Sequence, residues 1–208
     1  MQKKKLLTIT LAATLAATLV AGAGTFAYLS ANTGTITNKF GKAAEGEDYL
    51  KLKLEETGVT LDAKGNGDKS YIIKAGEQDD KDPTVTVTNN VDVFTFVEIS
   101  DKTELDGNKI VTYTVDEGWT KLDGITSPNQ DVTGVYYRIV GADDENKVFS
   151  VIAEDRITYA DTVTDKKIEE DDVTLAFQSF SIEKAPFTDD DVTVAATAAY
   201  NALRNAGE

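Results

Sequence analysis

Residues 84–100, TVTVTNNVDVFTFVEIS, carry the alternation that decides the fold class. Val85 and Val87 alternate with threonines, which is the two-residue period of a strand with one buried face. The period resumes after the Asn89-Asn90 interruption. One face then carries Val93, Thr95, Val97 and Ile99, and the other carries Phe94 and Phe96. We predict two strands here, or one strand with a bulge at the asparagine pair.

Similar extended segments lie on both sides of this stretch. They are residues 49–55, 109–119, 134–141, 148–159 and 172–187, with Gly/Asn/Asp-rich turns such as 62–70 and 106–108 between some of them. Several short strands separated by turns predict an all-β fold, an antiparallel sandwich or barrel.

The C-terminal segment differs from the strands. It is rich in alanine and starts with three acids, Asp189–Asp191, which are helix-start signals. We predict a short C-terminal helix there, with one apolar face made of Val192, Ala195, Ala199 and Leu203.

The N-terminus has the layout of a secretory signal peptide, which we expect to be helical. Lys3, Lys4 and Lys5 precede an apolar run, and small residues follow it. Thr25 and Ala27 form a small-x-small cleavage pattern, so cleavage is expected between Ala27 and Tyr28. The alternative is an uncleaved anchor, because residues 6–23 hold no charge over a length near the lower limit of a membrane span.

The charge balance limits the partners of the mature chain. The whole sequence holds 21 basic and 36 acidic residues, and the first 27 residues contribute three lysines and no acid. The mature net charge is therefore −18, which opposes contact with the phosphates of nucleic acid and with anionic membranes. We expect no nucleic-acid partner, and membrane contact only before signal cleavage.

The chain has no cysteine and no histidine. The lack of histidine excludes His-dependent catalytic triads and HExxH zinc sites. Acidic clusters at 79–80, 143–145, 169–172 and 189–191 suggest calcium, but none has the spacing of a calcium-binding loop. A carboxylate-pair glycosidase is also conceivable. We expect neither activity, and we predict no catalytic residue, cofactor or metal.

Three further features have a functional and a structural interpretation. The single tryptophan, Trp119, is predicted to be a buried core anchor and not a ligand contact. In the segment GVYYR, Arg138 is predicted to stack on a tyrosine or pair with an acid. The threonines of residues 84–88 and 112–114 are predicted to be solvent-facing strand positions and not a binding ladder.

Residues 28–48 form a polar N-terminal arm ahead of the domain at 49–208. A flexible linker needs only polar residues such as Ser30 and Asn32, yet the arm also holds Leu29, Ile36 and Phe40. Its threonines and apolar residues suit a strand. We therefore predict a donor strand that adds to a sheet edge. The alternatives are a plain linker, or pairing of the arm with its own subunit's sheet.

Several segments together resemble one known family. Residues 22–27, GAGTFA, resemble signal peptides cut by the SipW-type signal peptidase, and YLSANTGTITNKF (28–40) resembles the mature start of its substrates. KAGEQDDKDPTVTVTNNVDVFTFVEI (74–99), EGWTKL (117–122), VYYRIV (135–140) and LAFQSFSIEKAPF (175–187) resemble later motifs in the same order. The chain is similar to the TasA/camelysin-like family of secreted fibre-forming proteins.

That resemblance implies a jelly-roll-like β-sandwich and a secreted, non-enzymatic subunit of surface or biofilm-matrix fibres. It implies a homo-polymer built by N-terminal strand donation, with a SipW-type peptidase as partner during export. Two alternatives stay open: a monomeric cell-surface module that binds carbohydrate or a host protein, and a camelysin-type protease. The protease activity is not carried over, because the chain lacks histidine.

Export is expected to leave Tyr28 as the first residue of the mature protein, because the small-x-small pattern ends at Ala27. Intact-mass measurement of the exported protein checks this. A secreted product that still begins at Met1 or Gln2 would support the anchor.

Overall fold

The computed structural model describes residues 30–32 (backbone only), 49–63, 65–125, 127, 129–161 and 173–205. In chain order the strands are β1 (Ser30–Asn32), β2 (Leu50–Glu55), β3 (Gln78–Asp80), β4 (Thr84–Asn89), β5 (Val93–Lys102), β6 (Glu104–Leu105), β7 (Asn108–Lys109), β8 (Val111–Thr112), β9 (Thr120–Lys121), β10 (Gly134–Val140), β11 (Val148–Ser150), β12 (Arg156–Tyr159) and β13 (Thr174–Glu183). One helix, α1 (Val192–Asn205), follows them.

The strands form antiparallel sheets. The largest has five strands in the order β1-β13-β5-β10-β9, and two three-stranded sheets have the orders β11-β4-β2 and β3-β12-β8. Strands β6 and β7 form a separate hairpin. These sheets and the C-terminal helix confirm the predicted all-β class. The finer jelly-roll assignment stays a prediction, and the predicted signal-peptide helix lies outside the described residues.

Strand β5 is the centre of the fold. It pairs with β10 from Val93 to Ile99 and with β13 from Val93 to Lys102. Both of its faces are buried, as the alternation predicts, because residues 93–99 are all 1% exposed or less. The five-stranded sheet therefore needs a covering layer on each side.

The first layer is the sheet β11-β4-β2. Its inner valines, Val85 and Val87, pack against Val93, Val97 and Ile99 of β5, and Trp119, Val140, Phe149 and Val151 complete this cluster. At about 25 cal/mol per Å² of apolar surface, face-to-face burial of two sheets is the main stabilising contribution.

The Asn89-Asn90 interruption is where the chain passes from one sheet to the other. Asn89 is buried, and its Nδ2 donates to the carbonyls of Val91, Val140 and Gly141 at 2.8, 3.2 and 3.2 Å. The side chain thus provides donors to backbone oxygens at the corner, where the chain leaves β4 and where β10 ends. The prediction of two strands is confirmed, and the alternative of one bulged strand is wrong.

The second layer is helix α1. Ala195, Ala196, Ala199 and Tyr200 are buried against Phe94, Phe96 and Phe180 on the other face of the five-stranded sheet. Asp191 caps the helix, since its Oδ1 accepts from the Thr193 amide at 2.8 Å. The predicted helical face is wrong at Val192, which is 43% exposed at the first turn, before the helix reaches the sheet.

Two predicted strands are shorter than expected. Residues 148–159 are interrupted by a 3₁₀ turn at Ala153–Asp155, where Glu154 and Asp155 have positive φ angles of 59° and 52°. In 109–119 the continuous strand is wrong, because Lys109 ends β7, Val111–Thr112 forms the short β8, and Val115 makes an isolated bridge to Ile152. Both segments pack around a third cluster of Ile110, Val111, Ile152, Ile157 and Tyr159.

Trp119 is 5% exposed, which confirms the predicted burial, and its Nε1 donates to the Ser150 carbonyl at 2.7 Å. Trp119→Ala should lower the free energy of unfolding by about 3–5 kcal/mol, because it leaves a cavity and strands this carbonyl. Urea unfolding followed by circular dichroism measures the change. Ile72→Ala, at a side chain 78% exposed, is the control and should shift stability by less than about 0.5 kcal/mol. An unchanged midpoint for Trp119→Ala would contradict the anchor role.

Candidate functional site

The structure describes only part of the predicted functional segment. Thr25, Ala27 and Tyr28 of the cleavage site, and Leu29, Ile36 and Phe40 of the arm, lie outside the described residues. Of the arm, the structure gives the backbone of residues 30–32, and these residues form β1. The candidate site is therefore the surface on which β1 lies.

Strand β1 occupies the outer edge of β13 in its own chain. The pairing is antiparallel, with Ser30 opposite Ile182, Ala31 opposite Ser181 and Asn32 opposite Phe180. On its inner edge β13 pairs with β5 along all ten residues, so β1 covers three of ten positions on the outer edge. A strand at a sheet edge presents backbone donors and acceptors that another strand can take.

Beside this edge the sandwich has an incompletely covered apolar border, which we call the open margin. It consists of half-buried residues on two strands: Leu50, Leu52 and Leu54 of β2, and Leu175 and Phe177 of β13. Strand β2 also approaches β1 and β13 to Cα separations within 8 Å. These five side chains contact the core but keep solvent exposure, so an added segment here would bury apolar surface.

Inside the sheet, next to β1, two polar side chains satisfy each other. Thr95 Oγ1 and Ser181 Oγ lie 2.7 Å apart, and both residues are fully buried. A hydrogen-bonded hydroxyl pair avoids the cost of an unsatisfied buried polar group. Where β1 pairs with β13, the inner face of β13 therefore carries the small polar Ser181. Nearer the start of β13, the same face carries the apolar Leu175 and Phe177.

A buried carboxylate fastens α1 to the opposite face. Glu98 of β5 is 1% exposed, and its Oε1 accepts from Tyr200 Oη and from Ser127 Oγ, the latter at 3.0 Å. Arg204 lies 3.3 Å from the same oxygen. Burial, followed by the hydrogen bond to Glu98, raises the pKa of Tyr200 above its ordinary value. This group positions the helix, and its carboxylate is shielded from solvent.

A second polar cluster, which the sequence did not reveal, closes the end of the sandwich near β3. Glu56 accepts from Lys81 Nζ at 2.8 Å and from Tyr71 Oη at 2.5 Å, and Lys81 lies over the rings of Tyr71 and Phe177. Burial, and then the hydrogen bond to Glu56, raises the pKa of Tyr71. Every polar group in it has a partner, so the cluster is a structural clamp.

The acidic clusters do not form a metal site in the part of the chain that the structure describes, where no group of three metal-binding side chains comes together. Asp144 instead accepts from the Gly141 amide at 2.7 Å, and Asp191 caps α1. Residues 169–172 lie outside the described ranges. A shallow cleft of about 150 Å³ between residues 121–125 and 132–135 is smaller than the roughly 300–1,000 Å³ of typical ligand sites.

Arg138 stacks on aromatic rings other than those predicted. Its guanidinium lies 3.6 Å from the ring centre of Phe149 and 5.1 Å from that of Trp119, so the predicted tyrosine partner is wrong. Burial lowers the pKa of Arg138, although Asp116 and Asp144 act in the opposite direction. The two threonine groups are also separated: Thr84, Thr86 and Thr88 belong to β4, while Thr112 belongs to β8 of another sheet.

With the geometry established, comparison with known proteins adds no relative: no protein-family model, curated protein or solved structure matches the chain. Within the described ranges, no helix has the length and apolarity needed to cross a membrane. The features that bear on function are therefore the outer edge of β13, the open margin and the distribution of charge along the sequence.

Asp101 lies opposite Leu175, near the end of β5 and beside the open margin. Its Oδ2 accepts from Lys109 Nζ at 2.5 Å and from Tyr113 Oη at 3.1 Å, and its Oδ1 accepts from the Thr103 amide at 3.1 Å. Burial alone would raise the pKa of Asp101, but the bonds from Lys109 and Thr103 outweigh it. They hold the pKa below the ordinary value of 3.8.

Because the folded pKa of Asp101 is depressed, its carboxylate stabilises the fold above the ordinary pKa, and this contribution is lost as the pH falls through the folded pKa. Asp101→Asn should lower the free energy of unfolding at pH 7 by about 1–3 kcal/mol. The gap to wild type should shrink towards pH 3. Urea titrations at both pH values measure this.

The control is Asp131→Asn, because the Asp131–Lys102 pair is exposed and should contribute under about 1 kcal/mol. An Asp101→Asn deficit that is the same at both pH values would contradict the role of the charge.

Proposed function

We propose that this protein is an exported structural subunit that polymerises into extracellular fibres by donating its N-terminal arm as a strand to a neighbouring subunit. The observation that carries the proposal is the pairing of residues 30–32 with the outer edge of β13. The arm has the ability to form a strand, and the fold offers an edge that receives one.

The geometry of such an exchange leads to a filament. If the arm of one subunit takes the β13 edge of the next, the donating and receiving surfaces are different, so the contact is head-to-tail. A heterologous contact of this kind propagates without closing unless the rotation between subunits happens to form a ring. The arm precedes the domain in the chain, so it is free to reach a neighbour once the signal peptide has been removed.

The charge distribution supports the same assembly. Residues 28–44 contain Lys39 and Lys42 and no acid, whereas all 36 acidic residues follow from Glu45 onward. Residues 28–44 of the arm, with a net charge of +2, are thus attracted to a body that otherwise repels its copies. Salt weakens the repulsion between bodies over the Debye length of about 10 Å at 0.1 M. Short-range backbone hydrogen bonds between arm and edge are affected less.

The partners implied are other copies of the chain and, during export, a SipW-type signal peptidase. The location implied is the cell surface or the extracellular matrix, with no catalytic step. The rival function from another class is a monomeric surface module that binds carbohydrate or a host protein, and it differs in requiring no self-association.

Removing the arm should abolish polymerisation without unfolding the domain. A chain that starts at Gly46 keeps β2 to α1 and loses β1. We expect a β-type circular dichroism spectrum and a monomer by light scattering, in salt where the chain starting at Tyr28 forms filaments visible by electron microscopy.

A matched control replaces Ser30 and Asn32 of the Tyr28 chain by threonine, which keeps strand propensity and should keep filaments. Filaments from the Gly46 chain would contradict the proposal. So would a Tyr28 chain that stays monomeric at every salt concentration, which would favour the surface module.

A further inference from the structure

The outer edge of β13 extends well beyond the segment that β1 covers. Strand β13 runs from Thr174 to Glu183, and β1 lies against residues 180–182. In the described part of the chain no strand pairs with the outer edge at residues 174–178. Yet Leu175 and Phe177 on this stretch are only half-buried, at the open margin.

The register of β1 specifies what would follow along this edge. In each of its three pairs the residue numbers add up to the same total, as antiparallel pairing requires. Continued without a bulge, the same register puts Gly34 opposite Gln178, Ile36 opposite Ala176 and Asn38 opposite Thr174. Thr35 and Thr37 then lie opposite Phe177 and Leu175, and would share the face of the open margin.

We propose that residues 33–38 dock on residues 174–179 of the same chain in this register before any assembly, so that the monomer stores its own arm on the edge of β13. The occupant is thus a named segment of this chain. It begins directly after the last residue of β1, so the docking needs no connecting loop.

The chemistry of the two free edges favours β13 as the seat of the arm. The other edge at the open margin belongs to β2, and its outward side chains include the charged and exposed Lys51 and Lys53. Lysines on an edge strand oppose pairing with a further strand. On β13 the corresponding exposed residues are Thr174 and Ala176, which carry no charge.

The docked sequence suits the position it would take. Residues 33–38 read TGTITN and contain three threonines and one isoleucine, all β-branched, and no charge. The threonine methyl groups would cover part of Leu175 and Phe177. The single Gly34 would lie opposite Gln178, where the edge side chain is larger.

The chain length between the arm and β2 permits docking within one subunit. Leu50 lies at the same end of the sandwich as Glu183. It pairs with Asn89, whose Nδ2 donates to the carbonyl of Val140. Val140 and Glu183 are both paired with Val93, at the start of β5. The chain must therefore return from the level of Thr174 to that of Glu183, roughly 30 Å at 3.3 Å per strand residue. Residues 39–49 extend to roughly 40 Å, which suffices.

Storage of the arm would regulate assembly. A subunit would have to release residues 30–38 from its own edge before a neighbour's arm could take the same place, as in domain swapping. This consequence rests on the proposed function, whereas docking within the monomer does not. The two are therefore tested by different readouts.

The test uses the absence of cysteine in the chain. The mature chain carrying Ile36→Cys and Ala176→Cys is kept dilute in low salt and oxidised with oxidised glutathione. We expect an intrachain disulfide, seen as a monomer lighter by two hydrogens. It should form about tenfold or more faster than in a control pair, because pairing raises the effective thiol concentration.

The control pair is Ile36→Cys with Lys121→Cys, since Lys121 lies on β9 at the opposite edge of the same sheet. A second matched pair, Asn38→Cys with Thr174→Cys, tests the register independently. Both receiving positions on β13 are exposed, and melting curves of the single-cysteine variants verify folding.

Disulfides that form only between chains, or equally fast in matched and control pairs, would overturn storage within the monomer. No disulfide in either matched pair would overturn it as well. Filament formation in salt, scored separately by electron microscopy on the chain without cysteines, reports on the proposed function alone.

Discussion

The burial of β5 on both faces is the constraint on which the rest of the structure depends. A strand with valine and isoleucine on one face and phenylalanine on the other is stable in water only if two layers cover it. Here the layers are of different kinds, the sheet β11-β4-β2 on one face and helix α1 on the other. Both edges of β5 are paired as well, by β10 and β13, so the edge on which β1 lies belongs to β13.

The same constraint explains the polar groups at the helix face. Glu98 lies on the same face of β5 as Phe94 and Phe96. A buried charge without partners would be costly there. Tyr200, Ser127 and Arg204 converge on its carboxylate, which ties the helix and the loop before β10 to the central strand. A buried charge held this way favours one position of the helix over a set of similar apolar packings.

Alternation along the chain was sufficient to predict the strand class, the two faces of β5 and the break at Asn89-Asn90. It did not predict which strands pair, because a two-residue period says which face is buried and nothing about the neighbour. For residues 84–100 the sequence therefore left two strands and one bulged strand as alternatives, and the structure divides the segment between two sheets. Arg138 was misassigned for the same reason, since Phe149 comes from a strand whose position over β10 no local pattern reveals.

The helix and the arm show two other limits of prediction. Val192 fits the helical period, but the period does not tell where the helix axis meets the sheet. For the arm, alternation predicts that Ile36, Asn38 and Phe40 share one face and that Thr35, Thr37 and Lys39 share the other, and these residues lie outside the described ranges. The structure gives a register for residues 30–32 alone, where Ala31 lies opposite Ser181. Alternation groups residues by face, whereas a register requires an observed partner strand.

Charge limits the kind of self-association that the proposed fibre subunit would permit. With 18 more acidic than basic residues in the mature chain, broad contact between two bodies brings like charges together and must bury apolar surface to compensate. Backbone pairing at an edge needs little area, and its hydrogen bonds are made by the main chain. A strand from residues 28–44, which hold no acid, adds no such repulsion. The uncharged residues 174–182 of β13 and this part of the arm are therefore matched, whether they meet within one subunit or between two.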